Sequence, residues 1–325
     1  MNAYPLLRTK HQGLRFSRQG SGQGHAGDGR DLDPSELIGW ANSQVGPWRD
    51  FDPEFLDEKA VNQELRFRFP APADSPPPDT ALSQLTAGII DPLRMEFRAW
   101  LNSSRVDETL PISSDEAAEM VRPYAWLLDR IGEDGMKLTQ AGYMPPQVVS
   151  DLMRELGWED NWFGKMNRED QTGPALALRE SAMRLGLVRQ RKGRLVIARD
   201  ARGLAGEPIA LLEQIARRLP NSYGYELLDS SCLLLMISLS GGGTREFDVY
   251  AEMVSETLGM LGFENEYGES PDPPGLILAM RELRHDLERL SVFQAPFTLR
   301  RRRVEEDSRP TESGRAFARL SLRSA

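Results

Sequence analysis

Six cations crowd the stretch from Arg179 to Arg194: Arg179, Arg184, Arg189, Arg191, Lys192 and Arg194. Arginine and lysine carry permanent charge and several N–H donors, so such a set offers contact with phosphate oxygens. On a projecting hairpin, with a helix just before it, cations can meet a nucleic-acid backbone while little else is desolvated. The opposing reading is an exposed hairpin whose cations pair with the carboxylates of an acidic chain. Net charge is −9, which argues against a whole surface devoted to nucleic acid and leaves room for a local basic patch. A second basic run, Arg300–Arg303, lies near the C-terminus.

Other chemistry-bearing residues are sparse. His11 and His25 sit in a polar N-terminal stretch, and His285 lies among charges in MRELRHDLERL, where it reads as a solvated helix residue. None has the spacing of metal ligands, and the single cysteine, Cys232, stands in an apolar run with no histidine nearby. Glu305-Glu306-Asp307 is a charge run; paired acid–base work needs carboxylates in different environments, which adjacent residues seldom provide. Gly22-Gln23-Gly24-His25-Ala26-Gly27 matches a dinucleotide-binding glycine pattern in letters only, without the strand before it or the helix after it. The sequence therefore predicts no catalytic residue, no metal site and no cofactor.

Around the basic stretch, Leu176, Leu178, Met183, Leu185 and Leu187 are interleaved with Arg179, Glu180 and Arg184, a partly amphipathic helix. Thr172-Gly173-Pro174 opens it and Gly186 closes it as a left-handed cap. Two short strands follow, Leu187-Val188 and Leu195-Val196-Ile197, joined by a turn at Lys192-Gly193, and Asp200 is placed to cap the next helix. This is the helix-plus-wing half of a winged-helix unit. Upstream, Ser113 and Glu116 stand at capping-box spacing before an apolar face of Ala117, Met120, Val121, Tyr124, Leu127, Leu128 and Ile131. Pro123 should kink or split that helix. A short strand at Met136–Thr139 and a helix from Pro146 to Leu156, ended by Gly157, complete the unit.

Thr139-Gln-Ala-Gly142, Asp200-Ala-Arg-Gly203 and Thr311-Glu-Ser-Gly314 share a capping side chain three residues before a glycine and form a weak internal repeat. Helices near Glu226–Leu239, Arg245–Leu261 and Gly275–Arg289, then a hairpin-like segment from Val292 to Glu306, lead to the last of them. The predicted fold class is thus mainly α with short β-hairpins, in tandem winged-helix-like units. The domains are a disordered tail over 1–30, an acidic helical region over 31–110 with a Pro-rich linker near 70–78, a winged-helix-like domain over 111–219 and a second over 220–325. The apolar run Cys232–Leu239 is far short of the ~18 residues that would span a bilayer. With no signal peptide visible and one cysteine, the chain reads as cytoplasmic.

The segment YAWLLDRIGEDGMKLTQAGYMPPQVVSDLMRELGW, followed by WFGKMNREDQTGPALALRESAMRLGLVRQRKGRL, resembles the C-terminal half of actinobacterial proteins of the plasmid pRiA-type ORF-three-like family. The resemblance covers about Pro123–Leu219. The name-giving N-terminal domain of that family is not recognisable here. The family is uncharacterised, so the resemblance carries over no catalytic residue.

Two partner classes remain open. One is nucleic acid, DNA in particular, at the helix and hairpin that carry the six cations. The other is a protein: the stretch from Trp158 to Asp170 mixes Trp158, Trp162 and Phe163 with charges, as partner-binding surfaces do. The burial tendency of such side chains favours the alternative, a loop whose aromatics cap the core.

Overall fold

The computed structural model describes Leu82, Leu85 and residues 91–324, apart from 163, 245, 265–268 and 295–306. The N-terminal tail, the glycine motif at 22–27, the acidic and Pro-rich stretches before 79 and the Arg300–Arg303 cluster lie outside the described residues. Every described residue belongs to one compact unit.

The described residues are mainly helical, with one small antiparallel sheet. Helix α1 (Asp91–Ser103) precedes α2 (Ser114–Ile131), whose start is fixed by the reciprocal box of Ser113 and Glu116. All seven apolar positions expected on α2 are buried. Of the two expected outcomes at Pro123, a kink or a split, the split does not occur: α2 runs through it as one helix. Pro123 is itself buried, beside Val121 and Tyr124, so packing on both sides offsets the one ladder hydrogen bond that proline removes.

Strand β1 (Met136–Lys137), helix α3 (Pro146–Glu155) and helix α4 (Gly173–Arg184) come next, then β2 (Val188–Arg191) and β3 (Arg194–Ile197). The sheet order is β1-β3-β2, both pairings antiparallel. Lys192 and Gly193 both have positive φ, 48° and 72°, as a two-residue turn matched to strand twist requires. Asp200 does not cap the following helix: its carboxylate accepts from Arg218 at 2.9 Å. Helix α5 (Pro208–Arg218) instead opens on a proline, whose missing N–H removes one group that a cap would have served.

The expected buried helix over Cys232–Leu239 is α6 (Glu226–Ser240), covered nearly all round as a central helix should be. Helix α7 (Phe247–Met260) packs on it. The helix expected over Gly275–Arg289 is two helices, α8 (Pro273–Ala279) and α9 (Arg281–Arg289), separated at Met280. Helix α10 (Glu312–Ser324) closes the core against α6 and α5. Arg319 of α10 donates to the Ser240 carbonyl at 3.1 Å, satisfying an end of α6 that has no further helical partner. In this C-terminal half the described residues hold one antiparallel bridge, Phe293 with Pro310. No described helix is long and apolar enough to cross a membrane.

The expected capping device holds in full only at Thr311, whose hydroxyl accepts from the Gly314 N–H at 2.9 Å. A Cβ on Gly314 would collide with the Val292 carbonyl oxygen. Although alanine favours a helix interior over glycine by about 1 kcal/mol, Gly314→Ala should destabilise the protein. Urea unfolding of the variant checks this, and a gain in stability would contradict the close approach of α10.

Candidate nucleic-acid interface

Strand register sorts the hairpin into two faces, because residues opposite one another across an antiparallel pair share a side of the sheet. Val188 opposes Ile197, Gln190 opposes Leu195, and Leu195 also opposes Met136. Val188, Leu195 and Met136 are buried, so this face is the inner one. The outer face carries Arg189 opposite Val196, and Arg194 between Lys137 on one side and Arg191 on the other. Lys137, Arg189, Arg191 and Lys192 are exposed and form no ion pair among the described residues. Arg194 is half-buried, its guanidinium donating to the carbonyls of Asp134 at 3.1 Å and Gly135 at 2.7 Å.

The structure separates the six expected cations. Arg189, Arg191, Lys192 and Arg194 stand together on the hairpin, whereas Arg179 and Arg184 of α4 turn inward. Arg179 is 8% exposed; its Nε lies 2.6 Å from Glu169, and it donates to the Gly142 carbonyl at 2.9 Å. Glu169 also accepts from the Met144 N–H at 2.6 Å. Burial pushes the Glu169 carboxyl above the usual range, against the pull of the Met144 N–H and Arg179.

Arg184 meets a centre that the sequence did not announce. Asp286 of α9 is fully buried. Its Oδ1 accepts from the Ser181 hydroxyl at 2.7 Å and from Arg289; its Oδ2 accepts from the Tyr223 hydroxyl at 2.8 Å and from Arg184. Tyr124 of α2 shares a hydrogen bond of 2.9 Å with Ser181, and the Arg184 guanidinium lies 4.6 Å from the centre of the Tyr223 ring. Burial alone would raise the Asp286 carboxyl, but Arg289 and Arg184, with the two hydroxyls, hold it below its ordinary value. Burial and the Asp286 charge push the Tyr223 hydroxyl well up, and burial does the same to the Cys232 thiol. His285, expected to be solvated, is half-buried; burial and the neighbouring Arg289, Arg281 and Arg284 press it down to about 4, so it is neutral near pH 7.

The aromatic stretch after α3 is partly a core cover. Trp158 is buried, Trp162 is half-buried against the core, and Glu169 belongs to the Arg179 pair. Phe163 lies outside the described residues.

Asp286→Asn keeps the shape of the side chain but removes the carboxylate paired with buried Arg289 and leaves half-buried Arg184 with Glu282 at 3.7 Å, so it should cost about 3–5 kcal/mol of stability. Ser181→Ala, which removes one donor to Asp286 and one partner of Tyr124, is the milder test at about 1–3 kcal/mol. Because the folded carboxyl sits below its unfolded value, its contribution is complete above about pH 4 and is lost as pH falls further. Denaturation of the Asn variant should accordingly show a shallower acid limb than the parent; matching limbs would remove Asp286 from the acid response.

Comparison of the chain with protein families, with curated proteins and with solved structures found no match, so no residue of this site takes a role from a relative.

Proposed function

We propose that this chain is a non-enzymatic, winged-helix-like protein that binds nucleic acid at its basic hairpin. The observation that carries the reading is the group of exposed cations Arg189, Arg191 and Lys192, with Arg194 beside them, none of which forms an ion pair among the described residues. The element order supports the winged-helix reading of residues 114–197: helix, strand, helix, helix and a two-stranded hairpin, with the first strand added beside the last. In this reading α2, α3 and α4 are the three helices and β2–β3 the wing.

A tandem unit is supported by a repeated junction. Arg184-Leu185-Gly186-Leu187-Val188 ends α4, and Arg289-Leu290-Ser291-Val292-Phe293 ends α9. Gly186 and Ser291 both take left-handed backbone, with φ of 65° and 51°. Serine rarely adopts that conformation, so its use at the matching position is a specific likeness. Both arginines reach the same carboxylate.

The test is anisotropy of a labelled DNA duplex across salt concentrations. Three phosphate contacts from Arg189, Arg191 and Lys192 would give a log–log salt slope of about −2.7. Exchanging these three for glutamate should abolish most of the slope, while stability shifts by no more than about 0.5 kcal/mol per exposed change. Absence of binding at about 50 mM salt would sink the nucleic-acid reading and leave the protein-interaction module in its place.

A further inference from the structure

The outer sheet face carries an arrangement that folding alone would not select. Lys137 faces Arg194, and Arg194 faces Arg191, so three cations form one row across three strands, with Arg189 two residues along. Side chains directly opposite one another lie about 5 Å apart at Cβ, and like charges in such pairs weaken a sheet. Among the described residues only Arg194 has relief, from the Asp134 and Gly135 carbonyls; these neutralise none of its charge. A local rule broken without compensation among the described residues marks a place shaped by something outside the described fold.

We infer that this outer face, the row Lys137–Arg194–Arg191 together with Arg189, is a phosphate-backbone site that holds duplex nucleic acid without reading its sequence. The inference rests on the nucleic-acid reading and specifies its mode. Helix α4 is the element that would have to enter a groove. Its solvent-facing stripe is Gly173, Glu180 and Met183, with Leu176 and Ala177 half-buried. Reading of bases is done mostly by Arg, Lys, Asn and Gln, and none stands on that stripe. The two arginines that α4 does possess are held inside by Glu169 and Asp286. Contact therefore falls to the sheet, whose cations position a backbone and carry no sequence information. A duplex is favoured over a single strand because the face offers Lys, Arg and Val but no aromatic ring on which unpaired bases could stack. Lys137 is the residue that only the sheet pairing brings into the site.

The experiment compares the full chain with Lys137→Gln/Arg191→Gln on two DNA duplexes of unrelated sequence, an RNA duplex and a single strand. The expected result is parental binding to both DNA duplexes within a few-fold of each other. In the double variant it should weaken equally on both, with a salt slope shallower by about 1.8. The melting temperature of the variant should be equal or higher, since two members of a like-charged row have been removed. The RNA duplex separates a general backbone site, which binds both, from one fitted to B-form DNA; either result agrees with the inference. Unchanged binding in the variant overturns the inference while the nucleic-acid reading stands, with the contact elsewhere. Discrimination between the two DNA duplexes by tenfold or more, or a preference for the single strand, overturns the mode. Failure of the parent to bind any of the four removes the reading on which the inference rests.

Discussion

The buried carboxylate of Asp286 is the constraint on which the rest of the described structure turns. A charged group withdrawn from water loses on the order of several kcal/mol of solvation even after relaxation, and it persists only when charge and hydrogen bonds replace what was lost. Here both oxygens are filled twice, by two guanidiniums and two hydroxyls. Those partners come from α4, from α9 itself and from the segment before α6, and Tyr124 extends the set to α2 through Ser181. Replacing such a cluster with apolar side chains can leave stability equal or better, so its worth lies in geometry. Each donor must arrive at one point, and any other docking of α4 against α9 leaves a buried charge exposed to nothing.

That geometry decides which cations the surface keeps. Asp286 takes Arg184 and Glu169 takes Arg179, so α4 is anchored at two places along its inner side and retains only an acidic and apolar outer stripe. The hairpin is treated differently. Its inner face is closed by Val188, Leu195 and Met136, which hold the strands in register while the outer row of like charges pushes them apart. Burial of three apolar side chains, each worth roughly 1.5–3 kcal/mol, exceeds the fraction of a kcal/mol that each opposed pair of cations loses. The sheet can therefore carry an unneutralised basic face without failing to form.

Much of this was legible where the cause is local. The capping box at Ser113 and Glu116, the apolar face of α2, the glycine stops at 157 and 186 and the Lys192-Gly193 turn depend on residues a few positions apart, and each lies where the pattern puts it. Cations clustered on the hairpin were legible for the same reason. The inward turn of Arg184 was not, because its carboxylate is 102 residues away in the chain and looks, in MRELRHDLERL, like one more charge on a solvated helix. Lys137 was equally hidden: nothing at Met136-Lys137-Leu138 indicates pairing with Arg194. The reading of His285 failed on the same helix, since α9 is charged in composition yet buries Leu283, Asp286, Leu287 and Arg289. Periodicity identifies a buried face when that face is apolar; a buried face built from ion pairs looks like surface.

The shared carboxylate also bears on how the two sequence halves relate. A boundary near residue 219 is natural to the sequence, since each half has its own helices and its own left-handed turn after a terminal arginine. Physically that boundary cuts across the Asp286 cluster: Ser181 and Arg184 lie on one side, Tyr223, Asp286 and Arg289 on the other. Isolating the first half would expose Arg184 to water at modest cost. Isolating the second would leave Asp286 with Arg289 and Tyr223 alone, short of two of its four partners. The dependence is thus unequal, with the C-terminal half needing α4 more than α4 needs it. Helix α5 deepens the asymmetry, packing on α2 in front of it and on α10 behind. Among the described residues the two sequence halves thus share a buried polar centre at Asp286.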